Sequence, residues 1–305
     1  MIKYSDSVFN NEEEVKNFVR ECEENFECQL SAAVNSICLK EKLPFITLAG
    51  PTCSGKTTAS KKIAAMLKEH SVDANIISID DFYYDTEKLK RISYEKGMAS
   101  IDYDSVDTID LKALEAFAQE VSDDRIEAVH CPIFDFNQGK RVGFKTIECF
   151  ENSIFIFEGI QALYPRIPEI LSGRLLTNIY ISARSSINVS GRIFEPNEIR
   201  FLRRLVRDHN FRSTSAKLTF ELWDNVRKNE DECIFPYEDM CDIKIDSVFA
   251  CEISWLKPHL VKILSELKDN EKYGEKAVEI LNKISDVQAI SEKYISKDSL
   301  YKEFI

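Results

Sequence analysis

Apolar positions along this chain change their spacing several times. Between residues 8 and 43 they fall three and four apart: Val15, Phe18 and Val19, then Phe26, Leu30, Ala33, Val34 and Ile37. That spacing lines one face of a helix. It predicts two amphipathic helices, or one bent helix, ending before Pro44. Beyond Pro44, short apolar runs alternate with helical patterns. "FITLAG", "ANIISID", "EAVHCPIF", "SIFIFEG" and "LTNIYISA" read as strands. "GKTTASKKIAAMLKEH", with Ile63, Ala64 and Leu67 inward, and "IDLKALEAFAQEV" read as helices. Residues 196–229 read as a pair of helices, "CDIKIDSV" as a late strand and "CEISWLKPHLVKILSEL" as a helix. Strands that are apolar throughout, separated by helices, predict a mainly parallel sheet covered on both faces. The expected fold class is therefore α/β, with a three-layer domain over 44–265. A helical extension precedes it at 1–43, and a polar, helical tail follows at 266–305.

Composition narrows the class of protein. A length of 305 residues, 44% apolar and 30% charged, fits a soluble globular chain with a sizeable core. A net charge of -12 argues against nucleic acid as a partner, since such surfaces are normally basic. No signal-like start appears, and no apolar run approaches the roughly 18 residues of a membrane span. A cytoplasmic protein without a membrane partner is expected. The sequence gives no sign for or against a homo-oligomer. Nine cysteines are scattered without a CxxC pair, which reads as reduced thiols rather than a zinc site or a disulfide scaffold.

The chemistry begins at "GPTCSGKTT", residues 50–58, between a predicted strand and a predicted helix. Gly50, Gly55, Lys56 and Thr57 fit G-x-x-x-x-G-K-[ST] in the strand–loop–helix context that the motif requires. Such a loop turns successive backbone N–H groups onto phosphate oxygens, and the helix N-terminus adds its positive end. Gly50, Pro51, Thr52, Cys53, Ser54, Gly55, Lys56, Thr57 and Thr58 are the expected ATP-binding residues. Lys56 would reach the outer phosphates, and the Thr57 hydroxyl would face Mg²⁺. The expected fold is thereby of P-loop NTPase type.

Ligands in such sheets sit beyond the carboxyl ends of the strands. Asp80, with Asp81 beside it, ends "IISIDD", and Glu158 ends "IFIFEG". Asp80 and Glu158 are expected at the terminal phosphate, where a carboxylate can take a hydroxyl proton or support a metal. Asp81 reads as a turn or cap residue. Tyr83 and Tyr84 could stack on a ligand, although aromatics there more often pack. "IRFLRRLVRDHNFR" sets Arg200, Arg203, Arg204 and Arg207 along one helical stripe, with Arg212 just past it. Like charges on one stripe repel, so something anionic should face them. Two readings follow: a lid over the transferring phosphoryl group, or a basic face paired with acids.

Taken in order, these segments resemble the uridine kinase and phosphoribulokinase group of P-loop kinases. "GPTCSGKTT", "SIDDFYYD", "IDYDSVDTIDL", "PIFDFNQGKR", "FIFEGIQALYP", "RFLRRLVRDHNFRSTSAKLTFELW" and "IFPYEDMCDIKIDS" carry the likeness over about residues 44–265. It looks closest to the bacterial-type uridine kinase-like proteins. The resemblance implies an ATP- and Mg²⁺-dependent kinase for a nucleoside-like acceptor. It places Asp80 as the base for the 5′-hydroxyl, Asp102 on the ribose, and Phe134 and Arg141 beside the nucleoside, with Tyr83 among the acceptor-site residues. Glu158 would support Mg²⁺ together with Thr57 and Asp80. Arg203, Arg204 and Arg207 match lid arginines, and Arg212 the one that follows; Arg204 and Arg207 would act on the phosphoryl group with Lys56, and Arg203 and Arg212 at the acceptor. Uridine and cytidine kinases proper carry Tyr where this chain has Phe134 and His where it has Gly139. The loss of two hydrogen-bonding groups weakens the reading of the base.

The expected activity is ATP-dependent phosphorylation of a nucleoside 5′-hydroxyl, that of uridine or cytidine. Three alternatives remain: a kinase for a sugar phosphate or pantothenate-like acceptor, a nucleotide-binding regulatory protein without transfer activity, and a hydrolase.

Overall fold

The structure, a computed structural model, describes residues 2–5, 9–40, 42, 45–95, 97, 101, 103, 105–123 and 125–305. A four-residue strand, β1 (Ile2–Ser5), opens the chain. One uninterrupted helix, α1 (Glu12–Cys38), follows where the apolar spacing allowed two. Its N-terminus is capped by Asn11, whose side chain accepts from the Glu14 amide at 3.0 Å, and Glu12, Glu13 and Glu14 suit the positive end of the helix. Val15, Val19, Cys22, Phe26, Leu30, Ala33, Val34 and Ile37 form its buried face.

The α/β core then unfolds as β2 (Phe45–Ala49), α2 (Lys56–Glu69), β3 (Asp73–Ser78), α3 (Thr86–Glu95) and α4 (Leu111–Val121). It continues through β4 (Ala128–Asp135), β5 (Lys140–Glu148), β6 (Ser153–Glu158), α5 (Arg166–Leu171) and β7 (Leu176–Ser182). After β8 (Ser186–Val189) and β9 (Arg192–Phe194) come α6 (Pro196–Phe211), α7 (Ala216–Cys233), β10 (Ile243–Asp246), α8 (Glu252–Ser265) and α9 (Gly274–Lys283).

Five strands form one parallel sheet in the order β10-β7-β2-β6-β3. Its two faces carry separate cores, as the solid apolar strands predicted. Ile46 and Leu48 of β2 pack toward α1, α2, α6 and α8, whereas Phe45 and Ala49 pack toward α4 and α5. One strand assignment needs correction. "EAVHCPIF" does not join this sheet; β4 pairs antiparallel with β5 in a separate hairpin, and its buried and exposed positions largely alternate. β1, β8 and β9 make a third, small sheet.

Residues beyond α8 pack back onto the domain. The Ser296 amide and hydroxyl donate to Glu23 Oε1 on α1, at 3.2 and 2.9 Å. Lys62 of α2 bridges Glu27 and Asp298 at 2.6 and 3.2 Å. The chain ends in a 3₁₀ turn, Leu300–Glu303, with Leu300, Tyr301 and Phe304 fully buried. Among the described residues no helix is long and apolar enough to cross a membrane.

Candidate active site

Three neighbouring strands deliver the predicted chemistry to one edge of the sheet. β6 lies between β2 and β3, and Glu158 at its tip stands in register with Leu48 on one side and Ser78 on the other. The phosphate loop leaves β2 two residues beyond Leu48, and Asp80 follows Ser78 by two in a 3₁₀ turn, Ile79–Phe82. Loop, base candidate and the carboxylate expected at the metal thus converge because the parallel register aligns three strand ends.

The loop itself has the expected form. Gly55 caps α2 at φ 87°, a left-handed conformation that glycine adopts without strain. Cys53 adopts φ 58° without that freedom, and its carbonyl is held from behind by an arginine described below. The Lys56 ammonium folds over its own loop, donating to the carbonyls of Gly50 and Pro51 at 2.9 and 3.0 Å. Thr57 is exposed at the first turn of α2.

Electrostatics tie the same residues together. Burial pushes the Lys56 ammonium down, while the charges of Glu158, Asp80 and Glu303 pull it up across the site. Burial also raises the Glu158 carboxyl to about 7, Lys56 opposing and Asp80 and Glu303 reinforcing the shift. In the unfolded chain this carboxyl titrates near 4.5. The folded state therefore holds a proton that the unfolded state has released, and stability is lost as pH rises from 4.5 through about 7. Urea unfolding of the metal- and nucleotide-free protein should show this loss, on the order of 3 kcal/mol at most, and Glu158→Gln should flatten it.

These groups suit a Mg²⁺ ion. The donors are oxygens, and Glu158 is a half-buried carboxyl raised to about 7, which a bound cation would hold in its ionised form. Among the described residues no three acids, histidines or cysteines form a ready cage.

The arginine stripe divides in two. Arg200 and Arg203 are fully buried. Arg200 makes a bidentate pair with Glu230, at 2.6 and 2.7 Å, and donates to the Thr52 carbonyl at 3.1 Å. Arg203 pairs with the buried Glu252 at 2.7 Å and donates to the Ser247 carbonyl at 2.7 Å and the Cys53 carbonyl at 3.1 Å. The expectation that Arg203 contacts the acceptor is thereby corrected: its guanidinium is consumed behind the phosphate loop, which it props. Arg204 and Arg207 differ. Both donate to Asp208, at 3.2 and 2.7 Å, and Arg212 stands 3.9 Å from the same carboxylate. Three cations share one anion there, leaving a net positive cluster. Cys53 and Glu303 lie within electrostatic reach of Arg207, which brings this cluster to the loop.

On the acceptor side, the predicted residues serve mainly to build the wall. Tyr83 is buried, edge-on to Phe134 and Phe136 at 5.7 and 6.0 Å, and its hydroxyl donates to the Tyr103 carbonyl at 2.7 Å. Stacking of Tyr83 on a ligand gives way to this packing. Phe134 is buried in the same cluster. Arg141 donates to the carbonyls of Phe82 and Tyr83, at 2.8 and 3.1 Å, and pairs with Asp110 at 3.2 Å. It therefore clamps the turn that carries Asp80 rather than reaching freely for a substrate. Asp81 accepts from the Phe134 amide at 3.1 Å and bridges Lys145 at 3.2 Å, so it joins the same turn to the hairpin. Asp102 lies outside the described residues. Gly139 sits at φ +62°, and a Cβ there would come within 2.1 Å of Thr86 Oγ1. The hairpin tip is docked on the start of α3, so a side chain at this position would be strained and would have to displace Thr86.

Sequence reasoning missed Gln161. Fully buried, it donates to the Tyr83 hydroxyl and the Tyr103 carbonyl at 3.0 and 2.8 Å. Its position three residues past Glu158 was the only available signal. Glu230 and Glu252, the arginine partners, and Glu303 gave none.

Comparison with known proteins gives the chain its family. The family model described as "Phosphoribulokinase / Uridine kinase family" matches residues 45–254. A uridine kinase of Lactobacillus helveticus is 31% identical over 175 residues, which cover 57% of this chain and 72% of that one. A uridine kinase of Borrelia turicatae is 26% identical over 201 residues, covering 66% of this chain and 84% of that one. The solved structure of the YGR205w protein matches at a TM-score of 0.48 and 16% identity, over 73% of this chain and 88% of that one.

Proposed function

The chain belongs to the phosphoribulokinase / uridine kinase family and is a P-loop kinase, and on that premise we propose that it transfers the γ-phosphoryl group of ATP to a nucleoside 5′-hydroxyl, with uridine or cytidine as acceptor. The observation that carries the reading is the convergence of Lys56, Asp80 and Glu158 on one strand edge beside the phosphate loop. Asp80 orients the hydroxyl and takes its proton. Lys56, Arg204 and Arg207 bear on the charge of the moving phosphoryl group. Arg212, exposed at the end of α6, closes from the acceptor side. Thr57 and Glu158, with Asp80, would hold Mg²⁺, which neutralises phosphate charge when bound. Little covalent work falls to the protein; positioning and fixed charge supply the rate. The names of the relatives, uridine kinases, support the nucleoside.

One observation favours a second acceptor class. The hairpin wall offers a buried phenyl ring at Phe134 and a glycine at 139, neither able to hydrogen-bond a pyrimidine through its side chain. A different small alcohol is the second reading. A panel of uridine, cytidine, ribulose 5-phosphate and pantothenate, each with ATP or GTP and an ADP or GDP readout, separates the two. Turnover with a pyrimidine nucleoside at least about a hundredfold above the rest supports the first reading, a preference of the size a hydrogen-bonding site can enforce. Turnover confined to a non-nucleoside establishes the second.

A further inference from the structure

Residues 299–305 lie against the phosphate loop. Glu303 Oε1 accepts from the Thr58 amide at 2.7 Å and from the Thr58 hydroxyl at 2.6 Å. These are first-turn donors of the phosphate-loop helix, the groups that such a loop offers to phosphate oxygens. Leu300 lies on the loop as well: a Cβ added to Gly55 would meet its Cδ1 at 2.2 Å. Tyr301 is buried against Phe249 and Trp255, Phe304 packs edge-on to Tyr301, and the Arg203 guanidinium lies over the two rings at 5.7 and 5.3 Å. The Phe304 carbonyl accepts from Asn210 Nδ2 at 3.2 Å. We infer that residues 299–305 act as an intramolecular competitor of the nucleotide, with Glu303 standing in for a phosphate, and that this segment withdraws when a nucleoside triphosphate binds.

The inference rests on the nucleotide reading given above and extends it to regulation of that site. Charge supports it. Glu303 adds a third carboxylate to the two that already face Lys56, and a polyphosphate entering the loop would meet that charge at the amide it needs. A carboxylate and a phosphate cannot share the Thr58 amide. The hold on the segment is also graded. Its aromatic pair is buried, while Glu303 itself is only half-buried, and the Asp298 side chain that steadies the approach is 81% exposed. An exposed ion pair contributes little, so the terminal turn is tied mainly by Glu303 and by the apolar contacts of Leu300, Tyr301 and Phe304. When a competent state is only partly populated, apparent affinity falls by that fraction. A segment seated nine-tenths of the time weakens nucleotide binding about tenfold.

The test uses the full chain and MgADP as the probe. Calorimetric titration compares the wild type with Glu303→Gln, which keeps size and removes charge, and with Leu300→Ala, which loosens the apolar contact on Gly55. Hydrogen exchange follows the amides of 299–305 with and without MgADP. The expected result is binding about tenfold tighter in Glu303→Gln, with faster exchange of the terminal amides when MgADP binds the wild type. Equal affinity in all three forms with unchanged exchange overturns the inference and leaves the nucleotide reading intact. Weaker binding in Glu303→Gln overturns it too, since Glu303 would then assist the nucleotide. No MgADP binding in any form, although each unfolds cooperatively, overturns the nucleotide reading and this inference with it.

Discussion

Asp80→Asn retains nucleotide binding and loses turnover by about two to four orders of magnitude, the range that a positioned general base contributes. The substitution keeps shape and removes the acceptor of the hydroxyl proton. Asp80 is placed for this by an unusual degree of bracing. Arg141 donates to the carbonyls of Phe82 and Tyr83 at the end of its 3₁₀ turn, and Asp81 bonds the Phe134 amide across to the hairpin. The effect belongs in kcat at saturating acceptor, with the Kd for MgATP within about threefold of wild type. A loss of nucleotide affinity as large as the loss of turnover would assign Asp80 to the metal alone.

Arg203→Ala has the largest expected effect on folding. It strands Glu252 in a dry interior, where burial already raises that carboxyl against the pull of Arg203. Removing one partner of a buried ion pair typically costs about 3–5 kcal/mol, a large part of the stability of a domain this size. The Cys53 carbonyl, at a left-handed residue, also loses its donor. Nucleotide binding should therefore weaken together with stability. Arg207→Ala provides the contrast. Its guanidinium shares Asp208 with Arg204 and Arg212, so a partner for the carboxylate remains. Stability should fall by less than in Arg203→Ala, because the carboxylate keeps a partner, while turnover falls steeply. Chemical denaturation and steady-state kinetics on the two variants distinguish a prop from a catalytic group. Equal destabilisation by both would merge the two halves of the stripe.

That division shows where the sequence was informative and where it was not. The phosphate loop, Asp80 and Glu158 are legible because their positions follow from local pattern: a strand, a glycine-rich turn, a carboxylate at a strand tip. Parallel register does the rest. The arginines share one helical stripe, yet what each faces depends on residues 30 and 49 positions away, Glu230 and Glu252. Pairing with acids, one of the two readings of the stripe, describes Arg200 and Arg203 at buried carboxylates and Arg204 and Arg207 at Asp208. The β4–β5 hairpin was half missed because β5 alternates between exposed and half-buried positions and carries no apolar stripe. β8 and β9 are too short to show a period, and they turn through Ser190 and Gly191, both at positive φ. The polar tail offered no motif at all. Its meaning lies in Leu300 and Glu303 meeting Gly55 and Thr58 more than 240 residues away.

The account stands or falls on Asp80 meeting an alcohol beside the phosphate loop. A crystal structure of the Glu303→Gln chain with Mg²⁺, a non-hydrolysable ATP analogue and the preferred acceptor measures this directly. The account predicts an Asp80 carboxylate oxygen about 2.6–3.2 Å from the acceptor hydroxyl, or joined to it by one water, with that hydroxyl facing the γ-phosphorus. An acceptor bound with its hydroxyl out of reach of Asp80, in a closed complex with the analogue seated on the loop, would contradict it.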